Sequence, residues 1–226
     1  MQRSKLVGLT AAIVLLLGAH TATTPAAAEQ LHVVDGDTLT DGAVTFRLFG
    51  IDAPEAGQEC ASKDGGTWPC GREATALMRS LVSGKDVRCD NRGQDEYGRT
   101  LSVCYVGDLD IDGAMIDAGL AWSFRKYAHD YDAKENGARA KRIGVWQAAT
   151  EAPWDYRADR WKVAEQMAPK GCPIKGNINN KGERIYHAPW SPWYSRTKVS
   201  LEKGERWFCD EGEAIRAGWR APIWGN

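Results

Sequence analysis

Four short segments in the first half of the chain contain the residue types that phosphodiester hydrolysis requires. They are Asp35–Thr38, Phe46–Leu48, Ile51–Glu55 and Asp95–Arg99. Together they offer two carboxylates for a hard cation, a third that could act as a base, and two guanidinium groups. The negative charge of a phosphodiester repels an incoming hydroxide, so cations must offset it in the transition state. Taken singly, each segment is equally compatible with a turn or a solvated strand.

Asp37 and Asp52 are the candidate ligands for the cation. Calcium prefers oxygen ligands and mixes carboxylates with backbone carbonyls. The Asp-Gly pair at residues 41–42 predicts a two-residue hairpin turn, which would place the two aspartates on neighbouring strands. Pro54 stiffens the chain after Asp52 and would help to hold the Ala53 carbonyl in place.

In this order and spacing, D-G-D-T, F-R-L, I-D-A-P-E and E-Y-G-R resemble the motifs of the staphylococcal nuclease family. Its members are secreted calcium-dependent nucleases built on an OB-fold barrel. The likeness runs from about residue 31 to residue 146, roughly half of the chain. It implies that the protein cuts DNA and RNA, needs calcium, and leaves 3′-phosphate ends.

The resemblance also implies roles for individual acidic positions. Asp37 and Asp52 match the calcium carboxylates, with the Ala53 carbonyl as a further ligand. The family commonly has Thr where this chain has Ala53, so a hydroxyl that could order a calcium-bound water is missing. Glu55 matches the carboxylate that positions or deprotonates the attacking water. At an ordinary pKa this carboxylate would be ionised near pH 7, so we expect that it needs only to be placed correctly.

The remaining matched positions are basic, aromatic and acidic. Arg47 and Arg99 match the two arginines that bind the scissile phosphate, a task for which the planar guanidinium is better suited than Lys. Asp35 matches a neighbouring acidic residue outside the ligand set. Tyr97 and Tyr127 resemble aromatic residues beside the bound nucleotide, and stacking on such rings tolerates any sequence.

Hydrophobic periodicity predicts the elements that carry these residues. Strands are expected at 31–34, 38–40, 44–51, 85–90 and 100–106, and helices at 71–82, 112–118 and 132–143. Five short strands with a helix after the third suit a small closed barrel of the OB type. The predicted fold class is therefore α+β, a β-barrel with helices, followed by a small disulfide-stapled module.

Residues 1–28 have the layout of a secretory signal peptide, and all six cysteines follow them. An even number of cysteines in a chain bound for an oxidising compartment favours disulfides. Of the fifteen possible pairings, local geometry favours the one that joins Cys60 to Cys70, Cys89 to Cys104 and Cys172 to Cys209. The alternative is a zinc site formed by Cys172, Cys209 and His187, although no C-x-x-C pair supports it.

The chain divides into four predicted parts. Residues 1–28 have the layout of a signal peptide, 29–150 form the OB-fold domain, 151–169 a helical linker, and 170–226 a small Cys- and Trp-rich module. Cleavage would leave a secreted or periplasmic protein without a membrane span, whereas a retained N-terminal anchor is the alternative. The sequence implies no stable protein partner.

Composition limits what the protein can be. Apolar residues make up 43% and charged residues 26%, which excludes a disordered or multi-span membrane protein. Removal of the leader leaves 27 basic and 30 acidic residues, a net charge of −3. Any nucleic-acid site must therefore be a local cluster of basic residues.

Two features have competing interpretations. Asp108, Asp110 and Asp112 imitate the opening of an EF-hand loop, but Gly119 stands where that loop needs Glu, so we predict a turn with Asp112 as a helix N-cap. The C-terminal Trp residues suggest a small packed core. An alternative is a nucleic-acid or envelope-binding surface with four basic residues, Arg184, Lys198, Lys203 and Arg206.

Three functions are compatible with the barrel motifs. The first is a metal-dependent nuclease. The second is a non-catalytic OB-fold protein that binds single-stranded nucleic acid. The third is a structural secreted domain with a calcium staple, which leaves Arg47 and Arg99 without a role. Clustered acids at Asp37, Asp52 and Glu55 would repel DNA without a cation, which favours the nuclease.

Overall fold

A computed structural model describes residues 31–223 of the protein. The predicted signal peptide, residues 1–28, lies outside the described residues, as do the last three residues of the predicted C-terminal module. Within the described range, no helix is long and apolar enough to cross a bilayer.

Ten short strands form the scaffold between residues 31 and 150. They are β1 His32–Val33, β2 Thr38–Thr40, β3 Thr45–Leu48, β4 Ile51–Asp52, β5 Cys60–Ala61, β6 Thr67–Trp68, β7 Val87–Gln94, β8 Thr100–Val106, β9 Leu109–Asp110 and β10 Trp122–Ser123. The main sheet has the order β1-β2-β3-β8-β7, with β9 also paired to β8. Strands β3 and β8 are parallel, whereas the other neighbours are antiparallel. Two small ladders, β4 with β10 and β5 with β6, complete the scaffold.

The main sheet is curled into a half-barrel with helices packed against it, so the OB-fold prediction is confirmed. The expectation of a fully closed barrel is wrong. Within residues 31–223, the edge strands β1 and β7 do not pair with each other.

Three helices cover the sheet: α1 Cys70–Val82, α2 Ile111–Asp117 and α3 Asp132–Ala140. The apolar face predicted for α1 points inward, with Ala74 and Met78 completely buried against Leu39 and Leu48 in one core cluster. Burial of a side chain such as Met78 stabilises a fold by roughly 1.5–3 kcal/mol. This core fixes α1 next to the strands that carry the candidate site.

Two predicted turns differ in detail from the structure. The β2–β3 hairpin has a four-residue loop, because the register starts at the pair Thr40 and Thr45. Its Asp41 carboxylate accepts hydrogen bonds from the backbone N–H groups of residues 43 and 44. Helix α2 is capped by Asp110, whose carboxylate accepts from Gly113 N at 3.0 Å. Asp112 is therefore not the cap, and its buried carboxylate instead accepts from the N–H of residue 104.

The structure contains the three predicted disulfides. Cys60–Cys70 joins β5 to the start of α1, and Cys89–Cys104 links directly opposed residues of β7 and β8. Cys172–Cys209 closes the C-terminal segment, so these two sulfurs cannot serve as zinc ligands. His187, the third residue of the alternative zinc site, contacts Asn177 and Ser191 instead.

Residues 153–223 are called the C-terminal segment. It contains α4 Pro153–Met167, β11 Ile174–Ile178, β12 Arg184–His187, β13 Arg206–Phe208 and α5 Glu211–Arg216. The three strands form one antiparallel sheet, with β11 in the centre. Phe208 and Trp219 meet edge to face in a separate core that also contains Ile174 and Tyr186. This core supports the packing role predicted for the Trp-rich region. The four candidate basic residues are exposed, and a binding surface there stays a prediction.

Candidate active site

Asp37 lies at the start of β2, where the D-G-D-T loop folds onto the I-D-A-P-E segment. Its Oδ2 accepts a hydrogen bond of 2.6 Å from Ala53 N, and its Oδ1 accepts one from the Thr38 hydroxyl. Gly36 makes this approach possible, because a Cβ at that position would lie 2.7 Å from the Ala53 Cβ and 2.9 Å from the Ala74 Cβ. Gly36, Ala53 and Ala74 thus allow the two segments to approach closely, and the hydrogen bonds hold the buried Asp37 carboxylate in place.

Arg47, in β3, joins Asp37 to Asp52. Its Nη1 contacts Asp37 Oδ1, and its Nη2 donates to Asp52 Oδ1 at 2.7 Å. Asp52 lies in β4, which pairs with β10, so the prediction that the two aspartates occupy neighbouring strands is wrong. The two carboxylates nevertheless converge on one guanidinium group, because the chain turns sharply between β3 and β4.

The turn that follows β4 holds Glu55. Its backbone N–H donates to Gln58 Oε1 at 3.2 Å, and its carbonyl accepts from Gln58 N at 2.7 Å. The first turn of α1 packs against this carbonyl at Gly71, where a Cβ would overlap the Glu55 oxygen. The backbone at Glu55 is thus fixed from two sides.

A polar turn positions Arg99 at the start of β8. The Asp95 carboxylate accepts from the backbone N–H groups of Tyr97 and Arg99, and its Oδ2 accepts from Arg99 Nε at 2.6 Å. Gly98 has φ +85, a left-handed conformation that Gly adopts without strain. The Arg99 guanidinium lies 5.3 Å from the centre of the Tyr97 ring.

The C-terminal segment contributes an arginine to the site that sequence reasoning missed. Arg157, in α4, donates from Nη1 and Nη2 to the two oxygens of Asp52 at 3.0 and 2.7 Å. The same Nη1 donates to Glu55 Oε1 at 2.8 Å. The sequence offered no signal for this role, because α4 reads as a charged linker helix.

Glu211 is the second residue from the C-terminal segment that reaches the site. It lies at the start of α5, with Oε2 at 3.8 Å from Arg99 Nη1. The buried Tyr186 hydroxyl donates to the same oxygen at 3.3 Å. Glu211 therefore faces Arg99, one of the two arginines predicted to bind the phosphate.

Burial and ion pairing set opposite pKa shifts within the acidic group. Burial tends to raise the pKa of Asp52, but Arg157 and Arg47 outweigh it and hold that pKa below its ordinary value. Burial raises the pKa of Glu55 to about 7, although Arg157 opposes the increase. The expectation of an ordinary pKa for Glu55 is therefore wrong. Burial also raises the pKa of Asp35, whose Oδ1 accepts from the N–H of residue 37.

Glu55, Arg47 and Arg99 line a cavity of about 290 Å³. Its walls come from both halves of the chain. The barrel provides Asp35, Arg47, Glu55, Arg99, Tyr97 and Tyr127, and the C-terminal segment provides Arg157, Tyr186, Trp190, Pro192, Trp193 and Glu211. Tyr127 is 47% exposed and lies next to Phe124, with ring centres 5.2 Å apart. Asp37, Asp52 and Ala53 lie behind this lining, next to Arg47.

Comparison with known proteins agrees with this architecture. A family model described as staphylococcal nuclease homologue matches residues 45–148, and a second model, described as ArfC, matches residues 157–221. A protein from Haemophilus influenzae named uncharacterized endonuclease is 36% identical over 51% of this chain and 64% of its own length, just under two thirds. One of the same name from Escherichia coli is 36% identical over 56% of this chain and 82% of its own length.

A third relative, from Shigella flexneri and named micrococcal nuclease, is 31% identical over 57% of this chain and 79% of its own length. The chain belongs to the staphylococcal nuclease family. These nuclease relatives support a nuclease function in general.

The staphylococcal nuclease family is metal-dependent, and the donors at the site fit a hard cation in type. Two carboxylates, Asp37 and Asp52, converge closely enough for one guanidinium to contact both. Between residues 31 and 223, however, no group of three or more His, Cys, Asp or Glu side chains is arranged to hold a metal ion. The acidic oxygens are instead engaged by Arg47 and Arg157.

Proposed function

We propose that the protein is a calcium-dependent nuclease that hydrolyses DNA and RNA and leaves 3′-phosphate ends. The observation that carries this proposal is the convergence of Glu55, Arg47 and Arg99 on one cavity, with the Asp37 and Asp52 carboxylates directly behind Arg47. Membership of the staphylococcal nuclease family and the names of the relatives support it. Asp37, Asp52 and the Ala53 carbonyl would hold the calcium ion, which would offset negative charge on the phosphate.

Each charged group then has a distinct task. Arg47 and Arg99 bind the non-bridging oxygens of the scissile phosphate, and charge builds up on these oxygens in the transition state. Glu55 orients a water molecule and accepts its proton as the water oxygen attacks phosphorus. The bond from phosphorus to the 5′-oxygen breaks, the leaving 5′-oxygen takes a proton from solvent to become a hydroxyl, and the phosphate stays on the 3′ side. Tyr97 and Tyr127 offer ring surfaces for the adjacent bases.

We also propose that the protein works outside the cytoplasm. Three disulfides suggest an oxidising compartment, which suits the periplasm or the extracellular medium. Residues 1–28 would act as a cleaved signal peptide. In this proposal residues 29–150 form the catalytic domain, and residues 170–226 form a module joined to it by residues 151–169.

Digestion assays on the mature protein test the proposal. Single-stranded DNA, plasmid and RNA should be cut with calcium and left intact with an excess of chelator, and the products should carry 3′-phosphates. Glu55→Gln should lower the rate by about 10²- to 10⁴-fold, the usual contribution of a positioned base. Glu59→Gln is the matched control, because Glu59 is exposed and, among residues 31–223, its carboxylate has the Thr67 hydroxyl as its one hydrogen-bond partner.

Two results would contradict the proposal. Equal rates for Glu55→Gln and the parent would remove the base from the mechanism. Binding of oligonucleotides without any cleavage would favour the non-catalytic OB-fold alternative.

A further inference from the structure

The C-terminal segment meets the charged groups of the nuclease site with charges of the opposite sign. Arg157 contacts the acids Asp52 and Glu55, and Glu211 lies opposite Arg99. Under the proposed function, a cation and a phosphate would bind to these same groups. The segment therefore presents a positive charge at the cation position and a negative charge at a phosphate position.

The contact made by Arg157 is incompatible with a cation at the same oxygens. Its guanidinium donates to both carboxylate oxygens of the fully buried Asp52 and to Glu55 Oε1, at 2.7–3.0 Å. Calcium binds oxygen at 2.3–2.6 Å and has a net charge of the same sign as the guanidinium. The two cations would repel each other, so calcium must displace Arg157 from Asp52. Arg47, which contacts Oδ1 of both Asp37 and Asp52, must also turn away from them, as its proposed contact with the phosphate requires.

Helix α4 is fixed in the position that delivers Arg157. The hydroxyl of Tyr156, the preceding residue, donates to the Gly57 carbonyl at 3.2 Å. Gln58 Nε2 donates to the Glu151 carbonyl at 2.9 Å just before the helix starts. A Cβ at Gly57 would lie 3.2 Å from the Trp190 carbonyl, so this turn also packs closely against the C-terminal segment. The Arg157 contact is thus part of a docked interface and not a stray surface ion pair.

We propose that residues 153–216 are an intramolecular inhibitor in which Arg157 competes with calcium for Asp52. The inference rests on the proposed function of the site and adds its regulation. Displacement of one cation by another is a coupled equilibrium, so docking of Arg157 weakens calcium binding and calcium weakens docking by the same factor. The segment would set the calcium concentration at which the nuclease becomes active.

Calcium titration by calorimetry, with catalysis not involved, tests this competition. We compare the full mature chain with Arg157→Ala and with Arg157→Gln, which keeps most of the side-chain packing without the charge. Both variants should bind calcium at least tenfold more tightly than the parent. Lys162→Ala is the matched control, because Lys162 is exposed on the same helix and, within residues 31–223, has no ion pair with the acids.

Thermal unfolding supplies a second readout on the same proteins. Removal of Arg157 takes away the ion pair of Glu55 and leaves the buried Asp52 with Arg47 alone, so both variants should unfold at a lower temperature than the parent without calcium. Added calcium should raise the unfolding temperature more in the variants than in the parent, because ligand stabilisation increases with affinity.

The possible outcomes separate this inference from the proposed function. If the parent binds calcium and cuts DNA, but the Arg157 variants bind calcium no more tightly, the inhibitory role is wrong and the nuclease proposal stands. If neither the parent nor the variants bind calcium or cut DNA, both proposals are wrong. Tighter binding in Lys162→Ala as well would assign the effect to loss of general positive charge and would overturn the specific role of Arg157.

Discussion

Protonation of His187 is expected to destabilise the C-terminal segment in mildly acidic solution. The ring is buried at the end of β12, with Nε2 at 3.0 Å from Asn177 Oδ1 and Nδ1 at 3.3 Å from Ser191 Oγ. Burial, together with the positive charges of Lys175 and Arg196, lowers the pKa of His187 to about 4. The folded protein therefore holds this ring neutral.

The pKa difference gives the sign and size of the effect. The unfolded chain binds the proton near pH 6.5, and the folded chain binds it only near pH 4. The stability that this ring contributes is complete above pH 6.5 and is lost as the pH falls towards 4. The total is about 3 kcal/mol, of which about 2 kcal/mol is lost by pH 5.

Urea denaturation at pH 7.5 and pH 5 measures this loss. The comparison is between the parent and His187→Gln, which is neutral at both pH values, so contributions from all other groups cancel. The stability advantage of the parent should decrease by about 2 kcal/mol at pH 5. An advantage that is the same at both pH values, or a His187 ring that titrates near pH 6.5 by NMR, would refute the reasoning.

Two further predictions concern the packing of Gly71 against Glu55 and the disulfide of the C-terminal segment. Gly71→Ala should lower both the unfolding temperature and the digestion rate, because its Cβ would overlap the Glu55 carbonyl; a fully active and stable variant would contradict this packing. The double variant Cys172→Ser, Cys209→Ser should lose about 4 kcal/mol in urea denaturation, because the disulfide closes a loop with a sequence separation of 37. An unchanged unfolding midpoint would show that the segment is held by packing alone.

Local patterns predicted much of the barrel. The apolar spacing around Ala74 and Met78 identified α1, since a helix buries every third or fourth residue. The strand pair around Cys89 and Cys104 was predictable because the two residues are only 15 apart, with a turn between them. The half-open barrel was not predictable, because strand pairing at the edges depends on curvature that no short segment encodes.

The order and spacing of the motifs identified the acids and arginines of the barrel as one candidate site. They gave no information on Arg157 and Glu211, which the C-terminal segment contributes. Arg157 is 105 residues away from Asp52 in sequence and lies among several other charged residues of α4. Nothing in its local pattern distinguishes it from a solvated helix charge. The raised pKa of Glu55 also escaped prediction, because burial in the folded protein causes it.

The docked segment changes how the cavity can be used. Its walls include Trp190 and Tyr186 from the C-terminal segment, so the cavity lies between two parts of the chain. Access to Arg47 and Arg99 therefore depends on both the barrel and the segment that matches the ArfC model.

The most direct test of calcium binding by Asp52 compares the parent with Asp52→Asn. Cleavage of single-stranded DNA is measured for both proteins over a range of calcium concentrations. In the proposed function, Asp37 and Asp52, behind the cavity lining, would hold a cation next to the phosphate. Cleavage by the parent should rise with calcium and saturate, whereas Asp52→Asn should need at least tenfold more calcium to reach half of its own maximum. Identical calcium curves for the two proteins, or cleavage that continues in excess chelator, would contradict the account.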